Sequence, residues 1–287
     1  MKQDSDTGAT RPGALMAHEQ YEQFRAFLEK ACGIVLGDSK QYLVTSRLAP
    51  VLADNKIENL QELIRRMQQV SQRALREAVV DAMTTNETLW FRDVHPFNIL
   101  RDRLLPELQR SGTGPLRIWS AACSSGQEPY SISMTVEEYR AANMGMLRRP
   151  VEIVATDLSR QMLDACKAGE YDQLSLGRGL SKERLSRHFD PVSDQRWRIK
   201  RDIAQRVRFQ SLNLLDSYLS LGRFDIVFCR NVLIYFSGER KSDILRRIHA
   251  TLRPGGYLIL GASEGLVDIG QQYQMVQCNP GIIYRTV

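Results

Sequence analysis

A chain of 287 residues, 43% hydrophobic and 25% charged, has the balance of a globular protein with room for two modest domains or one large one. It has no apolar run near the roughly 20 residues of a membrane span and no charged-then-apolar leader, so neither membrane insertion nor export is expected. A net charge of +6 points to an acidic partner, which could be nucleic acid, an anionic lipid surface or an acidic protein.

Five scattered cysteines without a C-x-x-C pair read as reduced cytosolic thiols, and four dispersed histidines make a metal site unexpected. Residues 1–17 are polar and read as a flexible tail. From His18 to Met83 the apolar spacing is helical. Tyr21, Phe24, Phe27, Leu28 and Ala31 form one stripe, and Tyr42, Leu43, Leu48, Val51 and Leu52 a second, with Pro50 as an expected kink or break. Asn59 and Ser71 are expected to cap two more helices of a small antiparallel bundle. Its basic residues, Lys40 and Arg47 among them, read either as solvated faces or as a contact surface for an acidic partner.

Next comes the polar cluster Thr84, Thr85, Asn86, Glu87 and Thr88, which reads either as caps and turns or as part of a ligand site. Trp90 and Phe91 can bury the stem of Arg92 and aim its guanidinium inward. A helix over His95–Gln109 leads to the turn-rich border at Gly112–Pro115.

Leu116 to Arg140 reads as a buried strand turning through small residues, Ala121 to Gly126, into a helix. Gly126 is the only glycine in that turn, and Glu128 opens the helix with a carboxylate that repels phosphate but can hold a ribose diol or a cation. A ligand with a positive centre and no phosphate suits the turn best. VEIVATDLS is a second buried strand ending at Asp157, which either takes ribose hydroxyls or merely caps the next helix. It stands further beyond Gly126 than the roughly 20 residues of a dinucleotide fingerprint. Residues 188–209 read as a small antiparallel insertion rich in arginine, suited to a protein contact at least as well as to nucleic acid. The parallel pattern resumes at Val207–Phe209 and runs through GRFDIVFCRNVLIYFS and GYLILGASE.

The motifs TTNETLWFR, SAACSSGQEPYSI, ATDLS, NLLD, CRNVLIYF and LRPGGYL, in that order, resemble those of the CheR-type chemotaxis-receptor methyltransferases. The likeness covers nearly the whole chain after the tail. It implies an α/β, Rossmann-like S-adenosylmethionine-dependent methyltransferase domain with an all-helical N-terminal domain and a small antiparallel β-subdomain insertion. The expected boundaries are a tail over 1–17, the helical domain over 18–92, a linker helix over 93–115 and the methyltransferase domain over 116–287. The resemblance further implies that Asn86, Thr88 and Arg92 are inter-domain residues closing over the methionine end of the cofactor. Glu128 would meet its sulfonium and amino-acid portion, Asp157 its ribose, Asn213 and Leu214 its adenine, and Asn231 and Val232 further parts of it.

The implied reaction is methyl transfer from S-adenosylmethionine to receptor glutamates in the cytoplasm, leaving S-adenosylhomocysteine. Arg92 would orient either the substrate carboxylate or the cofactor's own. Tyr235 would donate a hydrogen bond to the substrate or simply pack with Phe236. The partner is the cytoplasmic helical region of methyl-accepting chemoreceptors, with no nucleic acid and a monomer as the default. The turn between Asp190 and Arg196 is short and lacks glycine, unlike that of relatives tethered to a receptor C-terminal pentapeptide, so pentapeptide-independent binding is expected. Three rival readings are a nucleic-acid methyltransferase, a nicotinamide oxidoreductase and a non-catalytic cofactor sensor.

Overall fold

The structure, a computed structural model, describes residues 18–110, 112, 114–266 and 268–287. They form two compact units, one of residues 18–31 with Val35–Met83, the other of Cys32–Ile34 with Thr84–Val287.

The first unit is made of α1 (His18–Cys32, whose last residue belongs to the second unit), α2 (Gln41–Asp54), α3 (Leu60–Met67) and α4 (Arg73–Met83). Their apolar stripes meet in a core of Tyr21, Phe24, Leu28, Val44, Leu48, Leu63, Leu75 and Val79. Asn59 caps α3, its side chain accepting from the Glu62 N–H at 2.9 Å. Two details differ from expectation. α2 continues through Pro50, which is exposed, so the proline does not break the helix. α4 starts at Arg73, leaving Ser71 in the preceding turn.

The second unit begins with α5 (His95–Ile99), a wide π-turn over Leu100–Leu104 and α6 (Leu105–Leu108), where a single helix is expected from the sequence. The wide turn directly precedes Pro106, which has no N–H to continue the ladder. The strands are β1 (Leu116–Ala121), β2 (Val151–Asp157), β3 (Glu170–Asp172), β4 (Phe189–Ser193), β5 (Arg196–Ile199), β6 (Val207–Ser211), β7 (Phe224–Cys229), β8 (Leu252–Leu260), β9 (Tyr273–Gln277) and β10 (Ile282–Thr286). Between them lie α7 (Gln127–Ala142), α8 (Arg160–Ala168), α9 (Gln173–Gly177), α10 (Lys182–His188), α11 (Arg201–Ala204) and α12 (Gly238–Thr251).

Seven strands form one sheet in the order β6-β2-β1-β7-β8-β10-β9. It is parallel except for β10, which runs antiparallel to both of its neighbours. Ile118 stands in register with Ile153 on one side and Ile226 on the other, so the apolar runs of β1, β2 and β7 stack as continuous layers. One face buries Trp90, Phe97, Tyr130 and Phe228, the other Trp119, Phe224, Ile244 and Leu245. The chain winds outward from β1 to β6 and then returns to β7 on the opposite side of β1. That reversal leaves a crevice at the carboxyl ends of β1 and β7, where open α/β sheets bind ligands.

A second sheet of three strands, β3-β5-β4, is antiparallel. Its extent differs from the expected 188–209. It recruits Glu170–Asp172, which follow α8 directly, whereas Val207–Ser211 pair in parallel with β2 and edge the large sheet. The three-residue β3 is too short to show a period, which is why the sequence does not mark it. Among the described residues no helix is long and apolar enough to cross a membrane.

Candidate functional site

At the end of β1 the backbone turns sharply, with φ at 58° for Ala122, 51° for Ser124 and 95° for Gly126. Only small side chains fit, and a Cβ on Gly126 would stand 2.9 Å from the Tyr171 hydroxyl. The turn presents the Ser124 N–H to Asp157 Oδ2 at 2.7 Å, while the Ser159 N–H donates to Oδ1 at 2.9 Å. Two backbone donors thus help fix the Asp157 carboxylate at the tip of β2. It does not cap α8, because the Ser159 hydroxyl takes that role.

Glu128, in the first turn of α7, accepts from the Ser120 hydroxyl at 2.8 Å and from Arg230 Nη1 at 2.9 Å. Burial pushes its carboxyl above the usual range, and the Arg230 charge and these hydrogen bonds only partly offset that. Arg230, with 1% of its side chain exposed, also donates to the Arg92 carbonyl at 2.8 Å and to Asp93 Oδ2 at 2.7 Å. One guanidinium therefore ties the end of β7 to the start of α7 and to the segment carrying Arg92. That segment is strained, with positive φ at Phe91, Asp93 and Val94. It is held by Trp90 and Phe91, both buried, and by the Phe91 N–H donating to Ser131 Oγ at 3.1 Å.

Beyond β7, Asn231 adopts φ 57°. Glu264 organises this loop, accepting from the backbone N–H groups of Asn231 and Leu233 at 2.7 Å, Gly261 at 2.9 Å and Ile234 at 3.3 Å. Asn231 Oδ1 is buried with no protein partner. Asn213 turns its own backbone, its Oδ1 accepting from the Leu215 N–H at 3.0 Å. Asn86 donates to Thr84 Oγ1 at 3.2 Å, and its carbonyl accepts from the Ser124 hydroxyl at 2.7 Å.

Asn86, Thr88, Arg92, Glu128, Asp157, Asn213, Leu214, Asn231, Val232 and Tyr235 all line one cavity in the second unit. Further residues line it that sequence reasoning did not single out, Cys32, Ile34, Ser124 and Arg230 among them, and Glu264 supports the loop after β7. Arg230 carried a legible signal, a lone charge directly after the wholly buried β7.

A cavity with three carboxylates (Glu87, Glu128 and Asp157), an unpartnered amide oxygen and a turn with one glycine fits a ligand that is cationic and carries hydroxyls better than one that is phosphorylated. With the strand order above, it is in keeping with an S-adenosylmethionine-dependent methyltransferase.

Comparison with known proteins narrows the class. Residues 86–282 match the family described as CheR methyltransferase, SAM binding domain, and residues 19–84 match the CheR methyltransferase, all-alpha domain. The chain is 63% identical over 270 residues to chemotaxis protein methyltransferase 1 of Pseudomonas aeruginosa, covering 94% of this chain and 98% of that one. It is 62% identical over 266 residues to chemotaxis protein methyltransferase Cher2 of Pseudomonas putida, covering 92% and 97%. With the chemotaxis protein methyltransferase of Salmonella typhimurium it shares 32% identity over 264 residues, 91% of this chain and 88% of that one. The chain belongs to the CheR methyltransferase family.

Proposed function

We propose that this protein transfers a methyl group from S-adenosylmethionine to glutamate side chains on the cytoplasmic helical region of chemotaxis receptors. The products are glutamate methyl esters and S-adenosylhomocysteine. The supporting observation is the character of the cavity, which is lined by Arg92 and Tyr235 but by no histidine. A glutamate carboxylate, with an unperturbed pKa of about 4.3, is already a nucleophile at neutral pH, whereas a lysine amine near 10.4 would need a base to remove its proton.

S-adenosylmethionine supplies an electrophilic methyl group on a sulfonium, whose leaving group is a neutral thioether. Asp157 would hold the ribose hydroxyls, and Asn213 and Leu214 would frame the adenine. Asn86, Thr88 and Arg92 would hold the methionine end, with Asn231 and Val232 contributing from the end of β7. Glu128 would give the sulfonium side a negative field, although Arg230 and Ser120 already engage both of its oxygens. Arg92 and Tyr235 would orient the acceptor carboxylate, so that alignment in a site closed to water supplies the rate.

Receptor helices rich in glutamate would dock on basic residues of the helical unit. Lys40 is exposed there, while Arg47 is half-buried and donates to the Met83 carbonyl at 2.7 Å, which makes Lys40 the stronger candidate for the contact. The β4–β5 connection is the two-residue turn Asp194–Gln195, in keeping with binding that needs no receptor pentapeptide. The test is transfer of labelled methyl to receptor-containing membranes. Label released by mild base from the receptor band is expected. Label on RNA or DNA, or none on any receptor, would overturn the reading.

A further inference from the structure

The cavity described above adjoins a second one, with which it shares Thr85, Glu87, Thr88, Arg92, Asn231 and Tyr235. Three further residues shape this vestibule, Leu89, Arg178 after α9 and Ile234, which is 48% exposed. Arg178 does not hang loosely at the mouth. Its carbonyl accepts from the Trp90 N–H at 3.0 Å, two residues before Arg92. Gly179, at φ 96°, permits that approach, since a Cβ there would lie 2.2 Å from the Trp90 carbonyl oxygen.

The Arg178 guanidinium is anchored at its backbone and engaged at its tip by Glu87 Oε1, 2.8 Å away. Glu87 is 71% exposed and Arg178 46% exposed, so the pair is open to water and weakly held. Arg92 stands on the same vestibule, and its hydrogen bond to the Glu87 carbonyl is long, at 3.5 Å. The vestibule therefore presents two guanidiniums near the candidate hydroxyl of Tyr235, and its one carboxylate belongs to the protein.

We propose that this vestibule is the acceptor-carboxylate subsite, in which Arg178 captures the incoming glutamate side chain and Glu87 is the carboxylate that the substrate displaces. The proposal rests on the methyl-transfer reading above and adds a specificity residue to it. A planar guanidinium carried on a fixed backbone suits capture of a carboxylate, because its fork of N–H donors matches the two carboxylate oxygens. Ile234 gives the methylene stem of the acceptor, or the helix that carries it, an apolar rest. Displacing Glu87 frees one carboxylate as another arrives, so local charge is conserved and a neutral glutamine at the same receptor position gains nothing from the exchange.

The test uses the full chain and a soluble cytoplasmic fragment of a chemoreceptor. Calorimetry of fragment binding to protein saturated with S-adenosylhomocysteine is measured beside methylation kinetics, for Arg178→Gln, Glu87→Gln and the double variant. Arg178→Gln is expected to weaken fragment binding and raise KM about tenfold, the loss of one charge-assisted contact, while S-adenosylhomocysteine affinity and melting temperature hold. Glu87→Gln is expected to tighten fragment binding by a few fold, and the double variant to bind no better than Arg178→Gln. Unchanged fragment affinity in Arg178→Gln with an active wild type would overturn the subsite alone. Equal weakening by both single variants would do the same, showing the pair to be structural. A wild type that binds S-adenosylhomocysteine but neither binds nor methylates the fragment would overturn the receptor reading and the subsite with it.

Discussion

Arg230 Nη1 and Glu128 Oε2 meet at 2.9 Å although 102 residues separate them, and this buried pair joins the end of β7 to the start of α7. The same guanidinium holds the backbone at Arg92, so two residues of the cavity lining, Glu128 and Arg92, share one support. Replacing Arg230 by Gln leaves Glu128 buried without its counter-charge. Such losses cost about 3–5 kcal/mol, read as a lowered urea midpoint. Burial already raises the Glu128 carboxyl, and without Arg230 it rises further. The penalty then applies above the folded pKa and fades as pH falls through it, so the deficit of Arg230→Gln should shrink on acidification toward the ordinary carboxylate range.

Asp157→Asn tests the strand-end acid with little change of shape. Its two oxygens accept from the Ser124 and Ser159 N–H groups, and an amide can satisfy only one of those donors while losing its charge toward a diol. Hydrogen bonds to charged groups contribute about 1.5–3 kcal/mol, so S-adenosylhomocysteine affinity is expected to fall by about ten- to a hundredfold in calorimetry. Retained affinity would remove Asp157 from the site.

Gly179→Ala probes the coupling of the small sheet's segment to the site. The added Cβ would meet the Trp90 carbonyl oxygen at 2.2 Å in a backbone of φ 96°. Left-handed geometry alone costs about 1–2 kcal/mol, and a clash with backbone cannot be relieved by a rotamer change. Lower melting temperature together with a fall in kcat is expected, because Trp90 lies two residues before Arg92.

Arg184 of α10 grips Glu138 of α7 through two hydrogen bonds of 2.7 and 3.0 Å. Burial alone would raise the Glu138 carboxyl, but the two Arg184 hydrogen bonds and the Arg184 charge, with His188 close by, hold it down at about 2. Its stabilising contribution is therefore complete above the unfolded pKa of about 4.3 and is lost as pH falls toward 2. Glu138→Gln should cost about 1–3 kcal/mol at pH 7. The gap between wild type and variant should close on acidification below about pH 4 in denaturant titrations.

What was legible in the sequence was local and periodic. The apolar run into Asp157, the small-residue turn before Gly126 and the polar start of α7 each lie within one strand-turn-helix unit, where spacing alone carries information. The order of motifs then carried the family. Pro50 does not break α2, because an exposed helix can carry one lost backbone hydrogen bond, and exposure is not a property of spacing. Arg230 with Glu128, Glu264 with the loop after β7, and Arg178 with Glu87 were invisible as pairs. Their partners lie 102, 33 and 91 residues apart, joined only when the sheet brings strand ends together.

Mass spectrometry of a receptor cytoplasmic fragment, incubated with this protein and S-adenosylmethionine and then cleaved to peptides, tests the central claim most directly. The account predicts a gain of one methylene on peptides containing glutamate, lost on mild base treatment, absent when the acceptor glutamates are replaced by alanine and absent with Asp157→Asn at limiting cofactor. A folded, S-adenosylmethionine-binding protein that leaves every glutamate unmodified, or that places its methyl groups on lysine, would contradict it.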